Sequence, residues 1–266
     1  MRITLKRRAL LYSAAGALFL AGTLQAGLVS AVNSSGQFVD LNQDFGCSNA
    51  GTTTASCDVS AFGVGTFDDA SGSYQANAQY GSLDTTSMSH VYDTTNGGPG
   101  ILAGTSSASF SDTFLLTGGI GSGTLVFVTE YGGYGQGESC DTGACLLNST
   151  VALNTFSFHP NGNFYLPINL SFSFSFGTPF NLNGSVSAHS SAEGDETATQ
   201  TAHLKIDAIE VLDSNGALTG NYSVTSGSGA DYPFVTPEPG TLALVTAALL
   251  ALPLIRRKSI SACRRG

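Results

Sequence analysis

Apolar and polar residues alternate one by one along much of this chain. Between Phe164 and Phe176 the even positions are Phe164, Leu166, Ile168, Leu170, Phe172, Phe174 and Phe176, while the odd ones are Tyr165, Pro167, Asn169, Ser171, Ser173 and Ser175. A period of two sends alternate side chains to opposite faces, so the stretch predicts a long strand with one face on a core. Pro167 lacks an amide proton and predicts a sheet edge or a break. The alternation resumes after Gly177-Thr178-Pro179 with Phe180, Leu182, Val186 and Ala188. Glu193-Gly194-Asp195-Glu196 predicts a loop tip. From Thr197 to Leu212 the apolar phase shifts by one residue between Leu204, Ile206, Ala208 and Ile209, Val211, which predicts a β-bulge near Ala208. Asp213-Ser214-Asn215-Gly216 predicts a hairpin turn with Leu218 to Thr225 returning. Ala108 to Thr117 and Thr124 to Tyr131 predict a further strand pair around Gly118 to Gly123.

Roughly ten short strands with turn signals about every ten residues predict an all-β fold, an antiparallel β-sandwich or jelly-roll-like domain over residues 32–234. Two segments outside it follow another pattern. Basic residues from Arg2 to Arg8 precede an apolar run from Ala9 to Leu24 and small residues at Ala26 and Ala31. This is the layout of a secretory signal peptide over 1–31, a signal helix cut after Ala26 or after Ala31. At the other end Pro237-Glu238-Pro239-Gly240 leads into the apolar segment Thr241 to Ile255, then Arg256, Arg257 and Lys258, with 259–266 as a short cytoplasmic extension. The prolines keep the spacer extended, in a form a protease reads. Fifteen helical residues reach only about 22 Å against a hydrocarbon core of about 30 Å, so 241–255 is a short transmembrane helix and a poor permanent anchor. The basic cluster stops transfer and stays cytoplasmic, which places the β domain across the membrane.

Those three parts in that order resemble the PEP-CTERM sorting signal of exported proteins of Gram-negative bacteria. The resemblance covers 235–258. It implies that Pro237, Glu238 and Pro239 are substrate residues for an exosortase, a membrane-embedded cysteine protease, and that the tail is removed during export to the envelope or extracellular matrix. Its implied partners are the exosortase, the secretion machinery and, transiently, the inner membrane. Similar tails occur in proteins described as ice-binding. The stretch from Leu204 to Asp213 and on to Tyr232 is also similar to the last strands of many PEP-CTERM surface proteins.

Composition sharpens this picture. Of ten Lys and Arg in 266 residues, only Lys205 lies outside the two flanking segments, and it stands against eighteen of the nineteen acids between Val32 and Thr236. The predicted domain therefore carries a formal charge of −17. A domain with one cation cannot neutralise phosphates, which excludes nucleic acid as a partner. The chain contains 33 Gly, 33 Ser and 27 Thr. In an oxidising compartment Cys47 with Cys57, and Cys140 with Cys145, predict two disulfides that close surface loops; crossed pairing stays open.

Catalytic motifs are not found, and a non-enzymatic structural or adhesive role is expected. Glu193, Asp195 and Glu196, and Asp68 with Asp69, offer oxygen ligands for weak calcium binding, so calcium is the one cofactor considered. His189 and His203 flank the acidic turn and would face each other across a hairpin. Tyr74, Tyr80, Tyr92, Tyr131 and Tyr134 are candidates for stacking on the sugars of an extracellular polysaccharide. Thr197, Thr199 and Thr201 give one line of threonines, where ice binding requires an array. The alternative functions are a calcium- or carbohydrate-binding module and a secreted polysaccharide hydrolase.

Overall fold

The computed structural model describes residues 28–38, 43–52, 54–64, 68–93, 101–137, 145–193 and 196–235. The signal segment before Leu28, the Pro237-Glu238-Pro239 motif, the 241–255 span, Arg256, Arg257, Lys258, Cys140 and Asp195 lie outside the described residues. Within them the chain is all-β. The strands are β1 (Leu28–Phe38), β2 (Gln43–Gly51), β3 (Thr54–Val64), β4 (Asp68–Gln79), β5 (Ser82–Asp93), β6 (Ile101–Thr117), β7 (Ser122–Gly133), β8 (Gly135–Gly137), β9 (Cys145–Leu153), β10 (Phe156–Phe158), β11 (Phe164–Ser175), β12 (Pro179–Glu193), β13 (Glu196–Leu212), β14 (Ser223–Ser226) and β15 (Phe234–Val235). There are thus fifteen strands among the described residues, more than the ten or so expected.

They form two sheets packed face to face. Sheet I runs β10-β9-β12-β6-β1-β2, with β14 also on β6. Sheet II runs β11-β7-β13-β5-β4-β3, with β8 and β15 on β13. All pairs are antiparallel except β13 with β15. β11 is an edge strand, as Pro167 requires, and its alternate residues are half-buried and exposed. The predicted bulge is present: the register of β13 on β7 shifts between Ile206 and Ala208.

Several predicted hairpins are instead crossings between sheets. Ala108 to Thr117 lies in sheet I and Thr124 to Tyr131 in sheet II, so they do not pair. The glycine-rich link between them takes positive φ at Gly118 (93°) and Gly121 (82°), which lets the chain cross instead of folding back in plane. It docks on the Phe176 to Thr178 crossing through Phe176 N–H to the Gly121 carbonyl (2.9 Å) and Gly177 N–H to the Leu116 carbonyl (2.7 Å). β12 and β13 are likewise in opposite sheets, so His189 and His203 do not face each other across a hairpin. After the turn at Asp213, whose Oδ1 accepts from the amides of Asn215 and Ala217, only Leu218 bridges back to Leu212. The expected return strand instead crosses to β6 as β14.

Four central strands share one interior pattern, in which polar residues or glycine lie between apolar ones. β5 runs inward with Leu83, Thr85, Ser87, Ser89 and Val91; β6 with Leu102, Gly104, Ser106 and Ala108; β12 with Ala188, Ser190 and Ala192; β13 with Ala198, Gln200 and Ala202. The polar positions meet in a seam between a large apolar cluster and a small one made of Ala70, Val91, Leu102, Ala192 and Ala198. Ser87 Oγ donates to the Gly104 carbonyl (2.9 Å) and bonds Ser190 Oγ (2.8 Å), which also meets Ser89 Oγ (3.0 Å). Ser106 Oγ donates to the Thr86 carbonyl (2.9 Å). A serine bonding the backbone of the opposite sheet requires the sheets to come closer than the usual spacing of about 10 Å. Tyr74 completes the seam. Its hydroxyl bonds Ser89 Oγ at 2.9 Å, and burial pushes the phenol up to about 12, so it keeps its proton.

The ring of Tyr74 fits because Gly104 has no side chain: a Cβ there would stand 2.0 Å from the ring. Gly104→Ala is therefore expected to destabilise the fold by about 1–3 kcal/mol, as overpacking does, when measured by chemical denaturation. Much of the loss should be recovered in the Gly104→Ala, Tyr74→Leu double variant; a Gly104→Ala protein as stable as the wild type would contradict the packing.

Candidate ligand-binding face

The outward faces of the two sheets differ in chemistry. On sheet I, among the described side chains of β6, β9 and β12, the outer positions are mostly Ser, Thr, Asn and Ala, with His189 and Glu193 as the ionisable groups. Register aligns Thr150, Ser187 and Ser107 across three strands, and Ala152, Ser185 and Ser109 beside them. His189 is held by Thr105 Oγ1 at Nδ1 (3.0 Å), and burial lowers its pKa.

Sheet II is built differently. Cross-strand pairing places Ser56, Asn77, Asp84, His203, Gly132 and Tyr165 in one row over β3, β4, β5, β13, β7 and β11. The next row is Thr54, Gln79, Ser82, Lys205, Glu130 and Pro167. Six strands at about 4.8 Å make each row roughly 24 Å long. At the β3 end the rows floor an open cavity of about 470 Å³, lined by Asn49, Thr54, Ser56, Asn77, Gln79, Ser82 and Asp84. Asn49 comes from β2 and forms its wall, with Nδ2 donating to the Ser56 carbonyl (3.1 Å).

Electrostatics along the rows are paired off. His203 Nε2 donates to Glu130 Oε1 at 3.3 Å, and the imidazole has room because Gly132 lies beneath it, where a Cβ would stand 2.1 Å from the ring. Partial burial raises the Asp84 carboxyl above the usual carboxylate range, and His203 opposes this. Lys205 Nζ is held by Asp207 Oδ1 at 2.6 Å, whose hydrogen bond and charge raise the lysine.

The sequence-predicted residues fare unevenly. Tyr74 and Tyr131 are wholly buried and cannot stack on a ligand; both are large apolar bodies at inward positions of their strands. Tyr80 is half-buried, while Tyr92 and Tyr134 are exposed. Among the described residues the most open tyrosine is Tyr165, at 65% exposure. Thr197, Thr199 and Thr201 do share the outer face of β13, opposite His90, Met88 and Thr86 of β5, so the line gains one threonine and no array. Glu193 closes β12 and Glu196 opens β13, with Glu196 Oε2 buried and without a hydrogen-bond partner. Among the described residues no three His, Cys, Asp or Glu are grouped to hold a metal ion.

Cys47 and Cys57 form the predicted disulfide, with Cα atoms 6.0 Å apart. It does more than close a loop, because β2 and β3 are the edge strands of the two sheets. The bond therefore ties the open side of the sandwich beside the cavity and fixes Asn49, two residues from Cys47, over Ser56. Cys145 opens β9, and its side chain and Cys140 lie outside what is described.

A strap closes the end of the molecule at the β4–β5 turn, where Tyr232 packs on Tyr80 and Gly81. Buried Asp112 on β6 accepts from Thr113 N–H (2.7 Å), Ser228 N–H (3.0 Å), Ser226 Oγ (2.8 Å) and Ser228 Oγ (2.6 Å). This pins 226–228 to sheet I before the chain delivers Tyr232 to the core and Phe234–Val235 to β13. The hydroxyls of Tyr80 and Tyr232 are buried beside Asp112 without hydrogen-bond partners; burial first, then the carboxylate's charge, raises both phenols.

No protein-family model matches this chain, and no curated protein matches it at a significant level. Among the described residues no helix is long and apolar enough to cross a membrane.

Asp112→Ala removes the acceptor of three strap bonds and of one from Thr113 on β6, and is expected to destabilise the protein by about 2–4 kcal/mol, since bonds to a buried charge are the costly ones to lose. Limited proteolysis should then cut first between 223 and 235. Cleavage rates there equal to wild type would show that the strap does not depend on Asp112.

Proposed function

We propose that this is an exported, non-enzymatic protein of the cell envelope or extracellular matrix, with a structural or adhesive role. A signal peptide delivers it, and a PEP-CTERM tail makes it an exosortase substrate. The observation that carries the reading is the join between body and tail: the last strand, β15, ends at Val235, and Pro237-Glu238-Pro239 follows after one residue. Among the described residues every strand of the two sheets lies before the motif. Loss of the tail would leave those strands whole, as removal during sorting demands. The disulfide at the sandwich edge fits an oxidising compartment. The single lysine of the body fits a domain that works away from nucleic acids.

The strand pairing also favours one signal cleavage site. Leu28 to Ala31 pair with Ser111 to Ala108 of β6, and Val29 to Ala31 with Gly51 to Asn49 of β2. A cut after Ala31 would strip those pairs, whereas a cut after Ala26 leaves β1 whole. The intact mass of the protein isolated from its host should therefore correspond to an N-terminus at Gly27 and a C-terminus near Pro237 to Pro239. A product that retains Arg264 and Arg265 would overturn the sorting reading, and an N-terminus at Val32 would overturn the assignment of the cut.

A further inference from the structure

Resting on the adhesive reading above, we propose that the outer face of sheet II binds a neutral polysaccharide strand. The strand would lie across the β-strands from the cavity over β3, β4 and β5 toward Tyr165 on β11. Four observations converge on this ligand class.

The first is the donor and acceptor content of the cavity. Asn49, Asn77 and Gln79 each present an amide N–H₂ and an amide oxygen, Thr54, Ser56 and Ser82 present hydroxyls, and Asp84 presents acceptors. A sugar hydroxyl both donates and accepts, and a pair of neighbouring hydroxyls matches the two ends of an amide or the two oxygens of a carboxylate. Among the described residues the side chains of Asn77, Gln79 and Ser82 make no hydrogen bond within the protein. They are open to a ligand. The cavity, at about 470 Å³, lies within the range of about 300–1,000 Å³ typical of small-ligand sites.

The second observation is continuity. Asn77 and Asp84 share one register row with His203 and Tyr165, so the polar groups extend beyond the cavity as a track and not a closed pocket. A track suits a chain ligand. The third is Tyr165, an amphipathic ring at the far end of that row, whose exposed face fits the apolar C–H side of a sugar ring.

The fourth is charge. The outer face of sheet II carries Asp58, Asp84, Glu130, Asp207 and Glu210, and its lysine is already paired with Asp207. A polyuronate or sulfated polymer would be repelled, and the body's net charge of −17 adds to that. A neutral polymer pays no such cost. Among the described residues the outer face of sheet I has cavities of about 290 and 300 Å³ over β6, β9 and β12, lined by Ser, Thr, Asn, Ala and Gly with Val186 and the buried Phe110; they hold no carboxylate and no exposed aromatic, and this face serves as the internal control.

The test is affinity electrophoresis of the protein as isolated from its host, in gels containing a β-glucan, a galactomannan, a galactan or a polyuronate. At least one of the three neutral polymers should retard the protein, and the polyuronate should not. Asn77→Ala and Tyr165→Ala, both at exposed positions that the core does not use, should each weaken the retardation at least tenfold. Ser187→Ala, on sheet I, should leave it unchanged. Retardation by none of the neutral polymers, or retardation that survives both sheet II substitutions, would overturn the proposal. So would binding confined to the polyuronate. A trimmed tail with no polysaccharide binding would sink this site and leave the sorting reading standing, while binding by a protein that keeps its tail would do the reverse.

Discussion

The contact between the two sheets at the serine seam is the constraint on which the rest of the molecule depends. Ser87, Ser89 and Ser190 are completely buried, yet each is hydrogen-bonded, so these three serines are carried inside without the penalty of leaving them unpaired. Their small size brings the sheets together, and Gly104 gives Tyr74 the space to lie between them. Alanine at the same positions would keep the spacing but lose these hydrogen bonds, and larger apolar side chains would need a wider gap. The abundance of Gly and Ser in this chain therefore has a structural use in its interior as well as on its surface.

The seam also sets what the outer faces can do. A strand with small polar residues inward at alternate positions still sends its other residues out in register, and β5 with β13 keeps that register unbroken from Glu196 to Lys205. Asp84 and His203 are neighbours for that reason. The bulge between Ile206 and Ala208 comes just beyond the rows, where β13 turns to receive β15. The disulfide ties the sandwich at its β2–β3 edge beside the cavity, and Asp112 holds the strap over the end where Tyr80 and Tyr232 meet.

Much of the fold was legible in the sequence. The period-two pattern identified β11 and β13, Pro167 identified an edge, and the phase slip at Ala208 identified the bulge, because each is a local consequence of backbone geometry. Which strands pair was not legible. Gly118 to Gly123 read as a hairpin, but the same positive-φ glycines serve a crossing between sheets, and sequence carries no signal to separate the two. The candidate site failed for a related reason. Asn77, Asp84, His203 and Tyr165 are separated by up to 126 positions along the chain and become a row only through four strand pairings. Tyr74 and Tyr131 were misplaced because an aromatic at an alternate position fits either face until the core is known. The Cys47 to Cys57 pair was readable from proximity, its position across two sheet edges was not.

A double-mutant cycle across the seam tests the account most directly. Ser87 belongs to sheet II and Ser190 to sheet I, and their hydroxyls are 2.8 Å apart in the buried interior. If the sheets are joined there, Ser87→Ala and Ser190→Ala should each cost about 1–3 kcal/mol in denaturant-derived stability, and the double variant should lose less than the two losses together by about 1 kcal/mol. Strictly additive losses, or single variants as stable as the wild type, would contradict the claim that this hydrogen-bonded seam holds the two sheets together.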